Sequence, residues 1–81
     1  MARYYFDIHD GAQVICDDEG SEFDSLDAAA QGAARSAAEI GTNRLAKGDT
    51  SDVVIEVRDE RKQRVCTVIA SMKIDRHDPL P

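Results

Sequence analysis

Apolar and polar residues alternate from Arg3 to His9, with Tyr4, Phe6 and Ile8 on one side and Tyr5, Asp7 and His9 on the other. Aromatic and β-branched residues at period two predict a strand. Asp10-Gly11 is a hairpin turn signal, and Gln13 to Asp17 reads as the returning strand. Two registers stay open. A two-residue turn puts Ile15 beside Phe6 on the inner face, whereas a three-residue turn puts Val14 and Cys16 there; the first is preferred.

An acidic loop follows, Asp17 to Asp24, and leads into the one stretch with a sustained helical period, Ser25 to Lys47. Leu26, Ala29, Ala30, Ala33, Ala37 and Ile40 make a stripe, with Asp27, Gln31, Arg35, Glu39 and Thr42 opposite. Asp24 or Ser25 is placed to cap the helix and Phe23 to pack back onto it. Gly32 and Gly41 each cost about 1 kcal/mol against alanine. Gly41 borders the stripe, which suggests either a close approach to the sheet or a loose last turn, and Gly48 ends the helix.

Two more alternating runs follow. Val53, Ile55 and Val57 point inward in Asp52–Asp59, with Val54, Glu56 and Arg58 outward. From Arg64 to Asp75 the inward set is Cys66, Val68, Ala70, Met72 and Ile74, and the outward set is Val65, Thr67, Ile69, Ser71 and Lys73. The predicted order is ββαββ. It implies an α+β fold in two layers, a four-stranded, mainly antiparallel sheet with one helix on one face. Residues 1–75 form the expected single domain and 76–81 a frayed tail.

Composition narrows the function. The chain has 81 residues, so it buries only about 60–65% of its unfolded surface and its core is thin. A formal net charge of −6 argues against a nucleic-acid partner, which draws on clustered Lys and Arg. No apolar run is long enough for a membrane span, and Met1-Ala2-Arg3 leads straight into a strand without a signal peptide, so a cytoplasmic location is expected. In that compartment Cys16 and Cys66 are read as reduced core thiols.

Several short motifs are shared with one family. R-Y-Y-F-D-I at Arg3–Ile8, Asp10-Gly11, Asp18-Glu19-Gly20, Leu26-Asp27-Ala28-Ala29 and Ile55–Glu60 together resemble small bacterial proteins, frequent in rhizobia and their relatives, known only as a domain of unknown function. The resemblance covers nearly the whole chain and implies no activity, cofactor or catalytic residue. It departs at the second turn, where such proteins often carry Asp-Gly and this chain has Arg61-Lys62. A looser likeness links the chain to HicB-type antitoxins, which also open with an R-Y-Y hairpin and enter a helix through L-(D/E)-x-A. Their additional strand before the helix has no counterpart in the pattern here.

Candidate chemistry is sparse. The acidic loop does not follow the D-x-[DN]-x-[DN]-G spacing of a calcium loop, and helix capping with solvation accounts for its residues. Asp7, His9 and Cys16 gather near the first hairpin, but with only two histidines in the chain a four-ligand zinc site is hard to build, and a nucleophilic thiol needs a pocket. Tyr4, Tyr5 and Phe6 invite a base-stacking reading that the charge and strand order oppose. No metal, cofactor or catalytic set is expected. The informative feature is the sheet face away from the helix, where Tyr5, Val54, Val65 and Ile69 stand among polar neighbours as a candidate interface. The reading is a non-enzymatic interaction or self-association module, a homodimer through that face or an edge strand; the alternative is a HicB-like antitoxin binding a toxin.

Overall fold

The structure is a computed structural model and describes residues 1–79; Leu80 and Pro81, part of the expected tail, lie outside the described residues. Among those described, five strands and one helix follow in the order β1 Ala2–Asp10, β2 Gln13–Ile15, β3 Ser21–Phe23, α1 Leu26–Ala46, β4 Val53–Arg58 and β5 Arg64–Ala70. The pairing is antiparallel throughout, in the order β2-β1-β4-β5, and β3 pairs with the first half of β1. The expected ββαββ order is therefore corrected to βββαββ. The added strand comes from the stretch read as an acidic loop. The last strand is also shorter than the pattern predicted, ending at Ala70 rather than Asp75.

The first hairpin turns through Gly11-Ala12, one residue later than Asp10-Gly11. Gly11 has φ +60°, as the first central residue of a II′-type turn requires. Ile15 then faces Ile8 instead of Phe6. The slide is two positions in register, so Ile15 keeps the inner face, yet it stays 53% exposed because α1 packs over β3, β4 and β5 and leaves β2 uncovered.

Ser25 caps α1, its hydroxyl accepting from the Ala28 N–H at 3.1 Å. At the other end the N–H of Gly48 donates to the carbonyl of Leu45 and that of Asp49 to Arg44, both at 2.9 Å, the pair of bonds that closes a Schellman end. The helix face buried on the sheet is Ala29, Ala33, Ala37 and Gly41. Leu26 belongs to the same sector of the helical wheel, but at the first helical position it remains 38% exposed. A Cβ on Gly41 would stand 3.1 Å from Met72 Cε, so the last turns do lie close to their cover. Across from the alanines, Val53, Ile55 and Val57 are fully buried, each contributing about 1.5–3 kcal/mol of burial. Tyr4, Phe6, Phe23 and Val68 pack around them. The Phe6 and Phe23 rings stack with centroids 5.6 Å apart.

Candidate interaction face

The face turned away from α1 is organised in rows that cross the strands. One row is Val14, His9, Val54 and Ile69, each the direct partner of the next. Val14 is 54% and Ile69 60% exposed. The next row holds Asp7, Glu56 and Thr67, and a third sets Tyr5 opposite Arg58.

The middle row places two carboxylates side by side, which by itself destabilises a strand pair. Each is answered separately. The Thr67 hydroxyl donates to Glu56 at 2.8 Å, and Arg58 grips Asp7 with two bonds, Nε to Oδ2 at 2.6 Å and Nη2 to Oδ1 at 3.0 Å. The same Nη2 donates to the Asp17 carbonyl at 3.0 Å, and the guanidinium carbon lies 5.2 Å from the Tyr5 ring centroid. The fork is thus bidentate to a carboxylate and stacked on an aromatic face, a use that lysine cannot reproduce.

Asp17 explains why β2 and β3 are separate strands. Ile8 pairs with Ile15, but Tyr4 pairs with Ser21, so two extra residues are accommodated between them. The chain bows out there, and the Asp17 carboxylate takes over the edge of β1, its Oδ2 accepting the Phe6 N–H at 3.1 Å. Its Oδ1 accepts from Glu19 and Gly20, and the Asp17 N–H donates to Asp7 Oδ1. Asp7 titrates below the ordinary carboxyl range, chiefly through its bonds from Arg58. For Asp17 burial pushes upward most strongly, but the N–H groups of Gly20, Phe6 and Glu19, with Arg58, together hold it below the usual value. Asp7 holds the Arg58 pKa up in return.

Of the four candidate interface residues, the structure brings Val54 and Ile69 into direct contact as cross-strand partners. Tyr5 is set apart from them behind the Asp7–Glu56–Thr67 row and is engaged by Arg58. Val65 is the unpaired residue of a bulge, since Val57 faces Cys66 while Arg58 faces Arg64. The pattern did not single out Arg58 and Asp17; their roles depend on β1 and β4 being neighbours, which alternation within each strand does not encode. Val14 was open to either register.

The gathering of Asp7, His9 and Cys16 divides on this surface: Asp7 is tied to Arg58, and His9 sits between Val14 and Val54. Cys16 is exposed, a correction to its reading as a core thiol, while Cys66 is half-buried beside the core. Cys16 lines an open groove of about 340 Å³ with Tyr5, Asp17, Asp18, Arg58 and Lys62. Among the described residues no group of three or more His, Cys, Asp or Glu is arranged to hold a metal ion, and no helix is long and apolar enough to cross a membrane.

These elements define a small α+β domain, one helix laid on an antiparallel sheet whose opposite face is left open. The chain belongs to the family described as Domain of unknown function (DUF6894), which matches residues 3–71, from β1 to just past β5. No curated protein and no solved structure is matched by the chain.

Proposed function

We propose that this chain is a cytoplasmic, non-enzymatic interaction module that associates with protein through the open side of its sheet. The row Val14–His9–Val54–Ile69 carries the reading: it spans four strands, is apolar but for one imidazole, and has no covering element among the described residues. The polar groups nearby are consumed by the fold. Asp7, Asp17 and Arg58 hold one another and the strand edge, so they serve structure rather than proton transfer. A thin core gives association a physical reward, because every further apolar side chain taken from water adds to a small total.

Light scattering on a sizing column, with Ile69→Asp and Val14→Asp beside the parent chain, tests this. The parent is expected at twice the single-chain mass and Ile69→Asp at single-chain mass with unchanged far-UV circular dichroism; Val14→Asp, on the opposite flank of the sheet, becomes monomeric only if the contact extends across the whole face. A parent chain of single-chain mass at every soluble concentration would overturn self-association.

A second reading is supported by β3. HicB-type antitoxins carry a strand before the helix, and Ser21–Phe23 supplies one where the pattern alone had none. On that reading the open face holds a toxin. Co-expression with the product of a neighbouring toxin gene, followed by co-purification, decides it; separate elution of the two would reject it.

A further inference from the structure

The two edges of the sheet are built differently. One is formed by β2 and β3, three residues each, interrupted by the bow at Asp17 whose carboxylate occupies the vacant position on β1. Short strands, a detour and charge are the means by which natural sheets protect an edge. The other edge is β5, seven residues long with one bulge at Val65 near its start, which pairs with β4 on one side and with nothing among the described residues on the other. From Val65 to Ala70 it contains no charge, no proline and no glycine. It also carries Val65 at 36% and Ile69 at 60% exposure.

Resting on the self-association reading, we infer that the partner is a second copy of this chain, joined β5 to β5 in antiparallel register about a two-fold axis at Thr67. A symmetric antiparallel pair keeps outward residues opposite outward residues only when the axis passes through a residue. Centring the strand on Thr67 sets Val65, the bulged residue, opposite Ile69 of the second copy, and the ladder ends there because the bulge turns Arg64 to the outer side beside Arg58. The pairs formed are then Thr67 with Thr67, Val65 with Ile69, and Cys66 with Val68. Apolar side chains meet apolar ones, hydroxyl meets hydroxyl, and no charge faces its like, which is the complementarity cross-strand pairing rewards. Moving the axis to Cys66 or Val68 sets Val65 or Ile69, apolar side chains, against the Thr67 hydroxyl. The result is one continuous sheet across both copies, with main-chain bonds supplying affinity as in other strand additions. Because α1 packs over β4 and β5, the two helices come to flank the same seam.

The test is solution mass and crosslinking on the full chain. Thr67 is exposed, so Thr67→Lys leaves the single copy folded while placing two ammonium groups opposite each other. It is expected to weaken the dimer about 100-fold, the scale of a like-charge juxtaposition of several kcal/mol. In a Cys16→Ser, Cys66→Ser background, Thr67→Cys is expected to give a covalent dimer with diamide, whereas Ser71→Cys is not. Both results together support the register. If Thr67→Lys stays dimeric while Ile69→Asp becomes monomeric, the edge is wrong and the flat face is the contact. If Thr67→Cys stays dimeric but does not crosslink, the register is overturned. A parent chain that is monomeric ends both readings.

Discussion

Replacing Arg58 by methionine keeps the length and the apolar stem of the side chain and removes the fork. Three hydrogen bonds go, two to Asp7 and one to the Asp17 carbonyl, together with the contact over Tyr5. The pair is neither exposed nor fully buried, with side chains 19% and 16% accessible. Exposed ion pairs contribute about 0–1 kcal/mol and fully buried ones cost about 3–5 when broken, so this site falls near 2–3 kcal/mol. Asp7 retains the Asp17 N–H as a donor, which keeps the loss from the upper limit. A domain of this size has about 4–12 kcal/mol in total, so about a sixth or more disappears. Urea unfolding followed by circular dichroism, at one fixed protein concentration, should show the midpoint falling by about 2–3 M for a slope near 1 kcal/mol/M. Arg58→Lys should recover less than half, since it restores charge without the bidentate geometry. Asp7→Asn combined with Arg58→Met should show a coupling of about 1–2 kcal/mol. A loss below about 0.5 kcal/mol, or additive single and double changes, would refute the assignment of Arg58 as the clamp between β1, β4 and the bow at Asp17.

Asp7 and Asp17 both have lowered folded-state pKa values, so their stabilisation is fully present above the unfolded carboxyl pKa of about 3.9 and is lost as pH falls through the folded values. Acid titration of stability should therefore decline from about pH 5 downward, and Asp17→Asn should flatten that decline; an unchanged slope would refute the role of its carboxylate. Lys62 holds φ +65° in the second turn, a position that suits glycine. Lys62→Gly should raise stability by about 0.5–1 kcal/mol, the relief of left-handed strain less the entropy glycine adds to the unfolded chain, read as a higher urea midpoint. Gly20 has φ +70°, and a Cβ there would lie 2.9 Å from the Tyr4 carbonyl oxygen and from Tyr5 Cε2. Gly20→Ala should cost about 2–3 kcal/mol and lower the melting temperature, since the closest neighbours include backbone.

The parts of the fold legible from the sequence were those set by periodicity within one segment. Helix α1 shows its stop at Gly48 and its alanine ridge directly in the residue order and narrows its cap to Asp24 or Ser25, of which the structure uses Ser25, and the facing of β1, β4 and β5 follows from alternation. Strand β3 was not legible, because three residues with one apolar member, Phe23, carry too little pattern and sit in a run of acids. The interface residues divide on the same principle. Val54 and Ile69 were found as outward apolar residues on two regular strands and prove to be neighbours, whereas Tyr5 was counted as free although Arg58, more than fifty positions away, covers it. The second turn, at Arg61-Lys62, puts Lys62 at φ +65°. The geometry shows why it is tolerated: the Asp59 carboxylate accepts from the N–H groups of Arg61 and Gln63, at 2.9 and 3.0 Å, and holds the loop while Lys62 takes the left-handed position.

Arg58 connects these observations to the difference between the edges. A free strand edge is a template for any other strand, so a sheet with two open edges grows without limit, while a sheet with one open edge stops at two copies. At the β1 edge the bow at Asp17 is held shut from the face of the sheet by Arg58 and from within by the Phe6 N–H. Loosening that clamp does more than destabilise the single copy. It frees the middle of β1, between its pairings with β3 and β2 on the edge away from β5, and would convert the proposed β5–β5 pair into an open chain of pairs. Arg58→Met is accordingly expected to form large assemblies at concentrations where the parent chain stays a dimer, and adding Thr67→Lys should limit them to pairs joined through the newly opened edge. Light scattering distinguishes these sizes directly. If Arg58→Met loses stability yet never exceeds the parent mass, the clamp supports folding alone and edge closure does not depend on it.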